Sequence, residues 1–180
     1  MRKLKLQVQM TVDGYIGGPN GEMDWTLFNW DNALKKYVGD LTEPVDCIVL
    51  GRKLAQGFIP HWASHPEQEG ADVFNAAAKV VFTKTIETSP WANTVLAKGD
   101  LAEEITNLKA QDGKDMNVYG GATFVSALIE QGLIDELHLF INPVTIGSGL
   151  SIFGKQSLKL VKATAFDCGI VVLHYEPQRN

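Results

Sequence analysis

Cysteine, arginine and long apolar runs are all scarce in this chain, and each shortage removes a class of protein. The two cysteines, Cys47 and Cys168, lie in separate apolar runs among 180 residues. They support neither a disulfide framework nor a paired-cysteine metal site, and a reducing, cytoplasmic setting fits them best. No run approaches the roughly 18 apolar residues of a membrane span. The opening residues MRKLKLQVQM alternate apolar and polar rather than forming the continuous apolar core of a secretory signal, so they are read as a strand. Of the 16 basic residues only Arg2, Arg52 and Arg179 are arginine, and the net charge is −5. An acidic balance opposes tracking along phosphates, so neither membrane nor nucleic acid is an expected partner. Two of the arginines are terminal, which singles out Arg52.

What is present is the composition of an ordinary globular domain, 45% hydrophobic and 21% charged. At this length about 70% of the unfolded chain's surface can be buried, enough to stabilise a fold without staples. No linker, low-complexity tract or repeat interrupts residues 1–180, which are read as one domain. Strand patterns at 3–11, 46–50, 79–82, 94–97 and 116–119 are interspersed with helical patterns at 29–39, 71–77, 101–111 and 122–131. The stretch after Lys53, with Pro60 and Pro66, reads as irregular. Three further strands, at 136–142, 158–166 and 169–175, follow with no helix between them, which implies antiparallel pairing at one edge. The pattern predicts an α/β domain with a mixed, mostly parallel eight-stranded sheet and helices on both faces.

In open α/β sheets ligands collect outside the carboxyl ends of the strands, where backbone N–H groups and helix N-termini face a crevice. Three strand ends carry suitable chemistry. Gly51 allows close backbone approach and Arg52 offers a planar fork for phosphate oxygens. Thr83-Lys84-Thr85 places two hydroxyls around an ammonium. Gly120-Gly121-Ala122-Thr123 is a helix start without bulky side chains, the shape a pyrophosphate needs. Taken singly, the first two are equally readable as ordinary turns. Their occurrence at successive strand ends is what points to one phosphate-binding rim.

The loop after the first strand combines Tyr15, Trp25, Phe28 and Trp30 with Gly14, Gly17, Gly18, Pro19 and Gly21, flat faces on a flexible backbone suited to covering a planar ring. It is either a mobile lid or a loop pinned to the core. Asp24 and Asp31 are its nearby carboxylates; Asp31 could move a proton or anchor a substrate, or could cap the helix that follows. Two motifs are decoys. Gly149 to Lys155 imitates a P-loop, but Gln156 replaces the required hydroxyl and a strand pattern follows. His61 and His65 have the spacing of zinc ligands on a helix, yet the flanking prolines point to a surface loop. His138 and His174 stand singly in strands and read as structural, so no metal is expected.

Val12-Asp13-Gly14-Tyr15-Ile16-Gly17, Leu50-Gly51-Arg52-Lys53, Val81-Phe82-Thr83-Lys84-Thr85, Tyr119-Gly120-Gly121, Gly132-Leu133-Ile134-Asp135-Glu136-Leu137 and Pro143-Val144-Thr145-Ile146-Gly147-Ser148-Gly149 with Phe153 form an ordered series over nearly the whole chain. The series resembles the dihydrofolate reductase-like superfamily, in particular the branch of the C-terminal reductase domain of bacterial riboflavin biosynthesis. That resemblance implies a three-layer α/β/α fold that binds NADPH and often pairs into homodimers. It implies that Gly51, Arg52, Lys53, Thr83 and Lys84 surround the adenine-side phosphates, and that Gly120, Gly121, Ala122 and Thr123 cradle the pyrophosphate. Val12, Ile16 and Gly17 would lie against the nicotinamide. Tyr15 and Trp25 would wall a small-molecule substrate site, with Asp31 as proton donor or anchor.

Two departures bear on the cofactor and on the substrate. Leu54 stands where the family commonly has a phosphate-bonding Thr. Folate-reducing members also hold the substrate's carboxylate with an internal arginine, and here Arg52 is already committed to the cofactor. The sequence therefore predicts an NADPH-dependent reductase of a small planar heterocycle rather than a dihydrofolate reductase. A non-catalytic nucleotide-binding or sensor protein of the same fold is the competing expectation.

Overall fold

The computed structural model describes residues 1–178; Arg179 lies outside the described residues. Its elements are β1 (Leu4–Thr11), α1 (Asn32–Thr42), β2 (Val45–Gly51), α2 (Arg52–Ser64), α3 (Ala71–Ala76), β3 (Ala78–Phe82) and β4 (Thr94–Ala97). They continue with α4 (Leu101–Ala110), β5 (Asp115–Val118), α5 (Ala122–Glu130), β6 (Glu136–Asn142), β7 (Leu158–Ala165) and β8 (Val171–Pro177). The eight strands form one sheet in the order β4-β3-β2-β5-β1-β6-β8-β7. Every described pairing is parallel except those of β8, which runs against both β6 and β7. The expected antiparallel edge is thus a single reversed strand, because the short 166–170 turn permits no crossover.

Strand periodicity sorts the helices onto two faces. Cys47 and Val49 of β2 join a core with Ile105 of α4 and Val125, Leu128 and Ile129 of α5. Ile48 and Leu50 of the same strand face Ala55 and Ile59 of α2 and Phe74 of α3. On that second face α1 makes its own core, with Leu34 and Leu41 against Phe140 of β6 and Val172 of β8. Between the α1 and α2 cores the sheet is polar: Lys5, Gln7 and Thr11 of β1, Asn117 of β5 and Glu136 and His138 of β6 are all buried there.

One expected irregular stretch is instead helical. α2 runs through Pro60, although an interior proline costs about 3 kcal/mol. The helix also buries Ala55 and Ile59 and packs Phe58 and Trp62 around Phe74, with ring centroids 5.1 and 5.6 Å away. Burying two aromatic and two aliphatic side chains offsets that cost. His61 accordingly sits in the helix and His65 at its C-cap, their rings stacked at 4.6 Å, which corrects the surface-loop expectation for this pair. The segment from Gly149 to Lys155 forms no helix, in keeping with its rejection as a P-loop.

Candidate functional site

The carboxyl ends of β1, β2, β3 and β5 share one end of the sheet because these strands are parallel. β2 runs straight into α2, and neighbouring β5 reaches α5 across Tyr119-Gly120-Gly121. Gly51 is the N-cap of α2 and Gly121 the N-cap of α5, and neither helix has a side-chain hydrogen bond to its first turn. The N–H groups of a helix's first turn have no intrahelical acceptor, so two sets of donors, each at the positive end of a helix dipole, lie at adjacent strand ends. The two starts interlock. A Cβ on Gly51 would come within 2.9 Å of the Phe124 Cβ, and one on Gly121 within 3.9 Å of the Leu54 Cβ. Gly121 has φ 86°, a left-handed conformation that favours glycine, so the N–H donors there are not overhung by a side chain.

Arg52 opens α2 and makes one weak hydrogen bond, Nη1 to Gln56 Oε1 at 3.4 Å, while Lys53 is exposed. Ala122 and Thr123 begin α5. The other expected cation is engaged elsewhere: the Lys84 ammonium donates to the carbonyls of Lys98 and Gly99, bracing the end of β3 to the loop after β4. Thr83 is buried and its hydroxyl oxygen accepts from the Thr85 and Ile86 N–H groups, closing that turn. The free phosphate clamp expected at Lys84 is therefore a strut, with one ammonium proton uncommitted by these bonds.

The loop after β1 is pinned rather than a free lid, by backbone bonds at its start and by Trp30, which stacks on core Phe140 at 6.3 Å, at its end. Val12 N–H donates to Val144 O and Ile16 N–H to Leu150 O, both at 2.8 Å, and Gly17 bridges Leu150. Asp13 accepts from Ile146 and Gly147 N–H. The Thr11 hydroxyl and these two amides hold its carboxyl below the ordinary range. At Gly149 a Cβ would lie 2.2 Å from Gly17 O, so only glycine permits the two loops to meet. Tyr15 is half-buried against Gly149, and Trp25 donates to Glu22 O at 3.0 Å. Val12 is 61% and Phe28 77% exposed, leaving apolar surface on this loop.

Asp31 is placed differently from the expected proton donor. Its carboxylate caps α1 by accepting from Leu34 N–H at 2.8 Å and also accepts from Cys168 N–H at 2.9 Å. These two bonds hold it below the usual carboxylate range, so it stays an anion and the acid role is corrected to that of a cap. Asn142, which is fully buried, carries no signal in the sequence. It donates to Gln9 Oε1 and Phe140 O and accepts from Leu27 N–H, tying β1, β6 and the aromatic loop together.

A second polar centre lies nearer the amino end of the same face. His138 and His174, isolated in sequence, are cross-strand partners with rings stacked at 4.1 Å. Glu136 Oε2 lies 3.3 Å from His138 Nε2 and 3.7 Å from His174 Nε2, while Lys3 holds the other oxygen at 2.6 Å. The His138 contact, then Lys3, pull the Glu136 carboxyl down to about 2. Burial, then His138, push His174 below the usual imidazole value. Tyr37 OH is 2.7 Å from His138 Nδ1, and burial raises the phenol to about 12.

An open, mostly parallel eight-stranded sheet, covered on both faces and carrying uncapped helix starts at its carboxyl rim, defines a protein of the dihydrofolate reductase-like fold. The chain belongs to the RibD C-terminal domain family, whose model matches residues 2–172. Among its relatives, YyaP of Bacillus subtilis (strain 168), itself uncharacterised, is 32% identical over 182 residues, covering 97% of this chain and 94% of YyaP. Among solved structures it is similar to the Thermotoga maritima diaminohydroxyphosphoribosylaminopyrimidine deaminase/5-amino-6-(5-phosphoribosylamino)uracil reductase, with TM-score 0.71 and 18% identity over 98% of this chain and 57% of that one. It is also similar to Enterococcus faecalis dihydrofolate reductase in complex with NADP(H), with TM-score 0.67 and 16% identity over 98% of this chain and 97% of that one.

Proposed function

We propose that this protein is a cytoplasmic, single-domain, NADPH-dependent reductase of a small planar heterocycle, working as a homodimer. The observation that carries the reading is the pair of uncapped helix starts at Gly51 and Gly121, on neighbouring strands and beside Arg52. A dinucleotide's phosphates satisfy the donors that the fold leaves open. Gly121 at φ 86° keeps the cradle clear, and Arg52, with one weak tie to Gln56, is available to a 2′-phosphate. NADPH, when bound, supplies the hydride; the chain binds and orients. The pinned loop at Val12, Ile16 and Gly17 presents a fixed wall to the nicotinamide, and Tyr15 and Trp25 flank the substrate. With Asp31 committed as a cap, water is the proton source. Exposed Leu160 and Val161 on the edge strand β7 suit pairing with a second copy of the chain.

Titrating NADPH and NADH by fluorescence, then following NADPH absorbance with pterins, ribosylaminopyrimidines and quinonoid compounds, tests this reading. NADPH binds more tightly than NADH, and one of the compounds drives its oxidation. No affinity for NADPH overturns the proposal, and tight binding without turnover across the panel selects the sensor reading.

A further inference from the structure

The cluster at Glu136, His138 and His174 has no part in the proposed reduction, and its three facing atoms have the composition of a metal site. All three ligand atoms lie within 4.8 Å of one another, and the two nitrogen-to-carboxylate distances are 3.3 and 3.7 Å. A tetrahedral ion with bonds of about 2.0–2.1 Å needs ligand atoms about 3.3–3.4 Å apart. His174 Nε2 is buried without a hydrogen-bond partner among the described residues, an unused lone pair or proton facing a carboxylate. Such an orphaned atom is a cost that a ligand would remove.

We propose that Glu136 Oε2, His138 Nε2 and His174 Nε2 bind one first-row divalent cation, Zn²⁺ best, on the polar stripe of the sheet and apart from the cofactor cleft. The inference does not rest on the reductase reading. Two imidazoles and one carboxylate suit zinc, and water completes the tetrahedron. The second shell is already built. When the ion takes the place of a proton on His138 Nε2, Nδ1–H can donate to the Tyr37 oxygen 2.7 Å away, and Lys3 orients Glu136 through the oxygen that the metal does not use. Binding requires the imidazoles to fan out from their 20° stack so that both lone pairs converge on one point. The Lys3 ammonium opposes the ion, but its side chain is 51% exposed, so water screens much of that repulsion. Neighbouring charges are Lys5 and Asp115, paired with each other, and Glu176, whose position on β8 falls opposite Glu136.

Zn²⁺ is titrated against a chromophoric chelator into tag-free protein stripped of metal, and Co²⁺ is used for the visible spectrum of a four-coordinate site. One equivalent binds per chain, with intense Co²⁺ bands. His174→Gln and Glu136→Gln each weaken Zn²⁺ by more than roughly tenfold, and Tyr37→Phe by roughly tenfold through the lost second-shell bond. Circular dichroism establishes that each variant is folded, and His174, the most exposed of the three ligands, keeps the test readable if Glu136→Gln does not fold. Absence of a stoichiometric equivalent in the wild type, or wild-type affinity in folded His174→Gln, overturns the proposal.

Discussion

The two ends of the sheet are built on opposite plans. At the amino end, charges are brought together and neutralised: buried Arg2 pairs with Asp46, Lys5 with Asp115 at 2.9 Å, Lys109 with Asp135 at 2.6 Å and Lys3 with Glu136 at 2.6 Å. Arg2, a mere terminus in the sequence, is 9% exposed and clamps β2. At the carboxyl end, no ion pair among the described residues involves Arg52 or Lys53, and two helices start without side-chain caps. Polar groups satisfied from within hold a fold together, whereas groups left open invite a ligand.

The sharpest way to break that division is at the amino end. Lys5→Met leaves the Asp115 carboxylate short of its partner and lowers stability by about 3 kcal/mol, read from urea denaturation, while NADPH affinity measured on the folded protein stays unchanged. A loss of affinity in that variant would show that the two ends are not separable. The converse substitution is Arg52→Ala. It weakens NADPH by roughly tenfold or more, the worth of a charge-assisted phosphate bond, and leaves the urea midpoint in place because its one internal bond is the 3.4 Å contact to Gln56. The smallest effect is at Asp13, an exposed residue that nonetheless follows the amino-end plan. Its folded pKa is depressed by Thr11, Gly147 and Ile146. The stabilisation it gives is therefore complete above the ordinary carboxylate range and disappears as pH falls through the depressed value. Asp13→Asn is slightly less stable than wild type near neutrality, and the gap closes in acid melts; a constant gap across pH would refute the sign.

Much of the rim was legible because its chemistry is local. Gly120-Gly121 announces a helix start without a cap, and α5 begins where that punctuation puts it; Gly51-Arg52 marks the strand end, but the helix that follows it reads as irregular in the sequence. Asp31 was legible as a cap and as a carboxylate, but not as both bonds at once: its second donor, Cys168 N–H, lies 137 residues away. The same holds for Lys84, whose acceptors at Lys98 and Gly99 come from the next strand's end. α2 was misjudged at Pro60 because the aromatic contacts with Phe74 that hold it together are absent from the helix's own sequence.

The sequence by itself determined the alternation of strands and helices, the reversed edge and the glycine-marked strand ends, since periodicity and turn chemistry act over a few residues. Only the tertiary structure decided which polar side chains of β1 would be buried, and that His138 and His174 would share one carboxylate. The polar face of β1 reads in isolation as the solvent side of a strand. Placed between β5 and β6 and roofed by helices, Lys5 and Gln7 are instead 7% exposed. Register across antiparallel strands pairs residues far apart in the chain, so a site made by β6 and β8 has no signature in either strand alone.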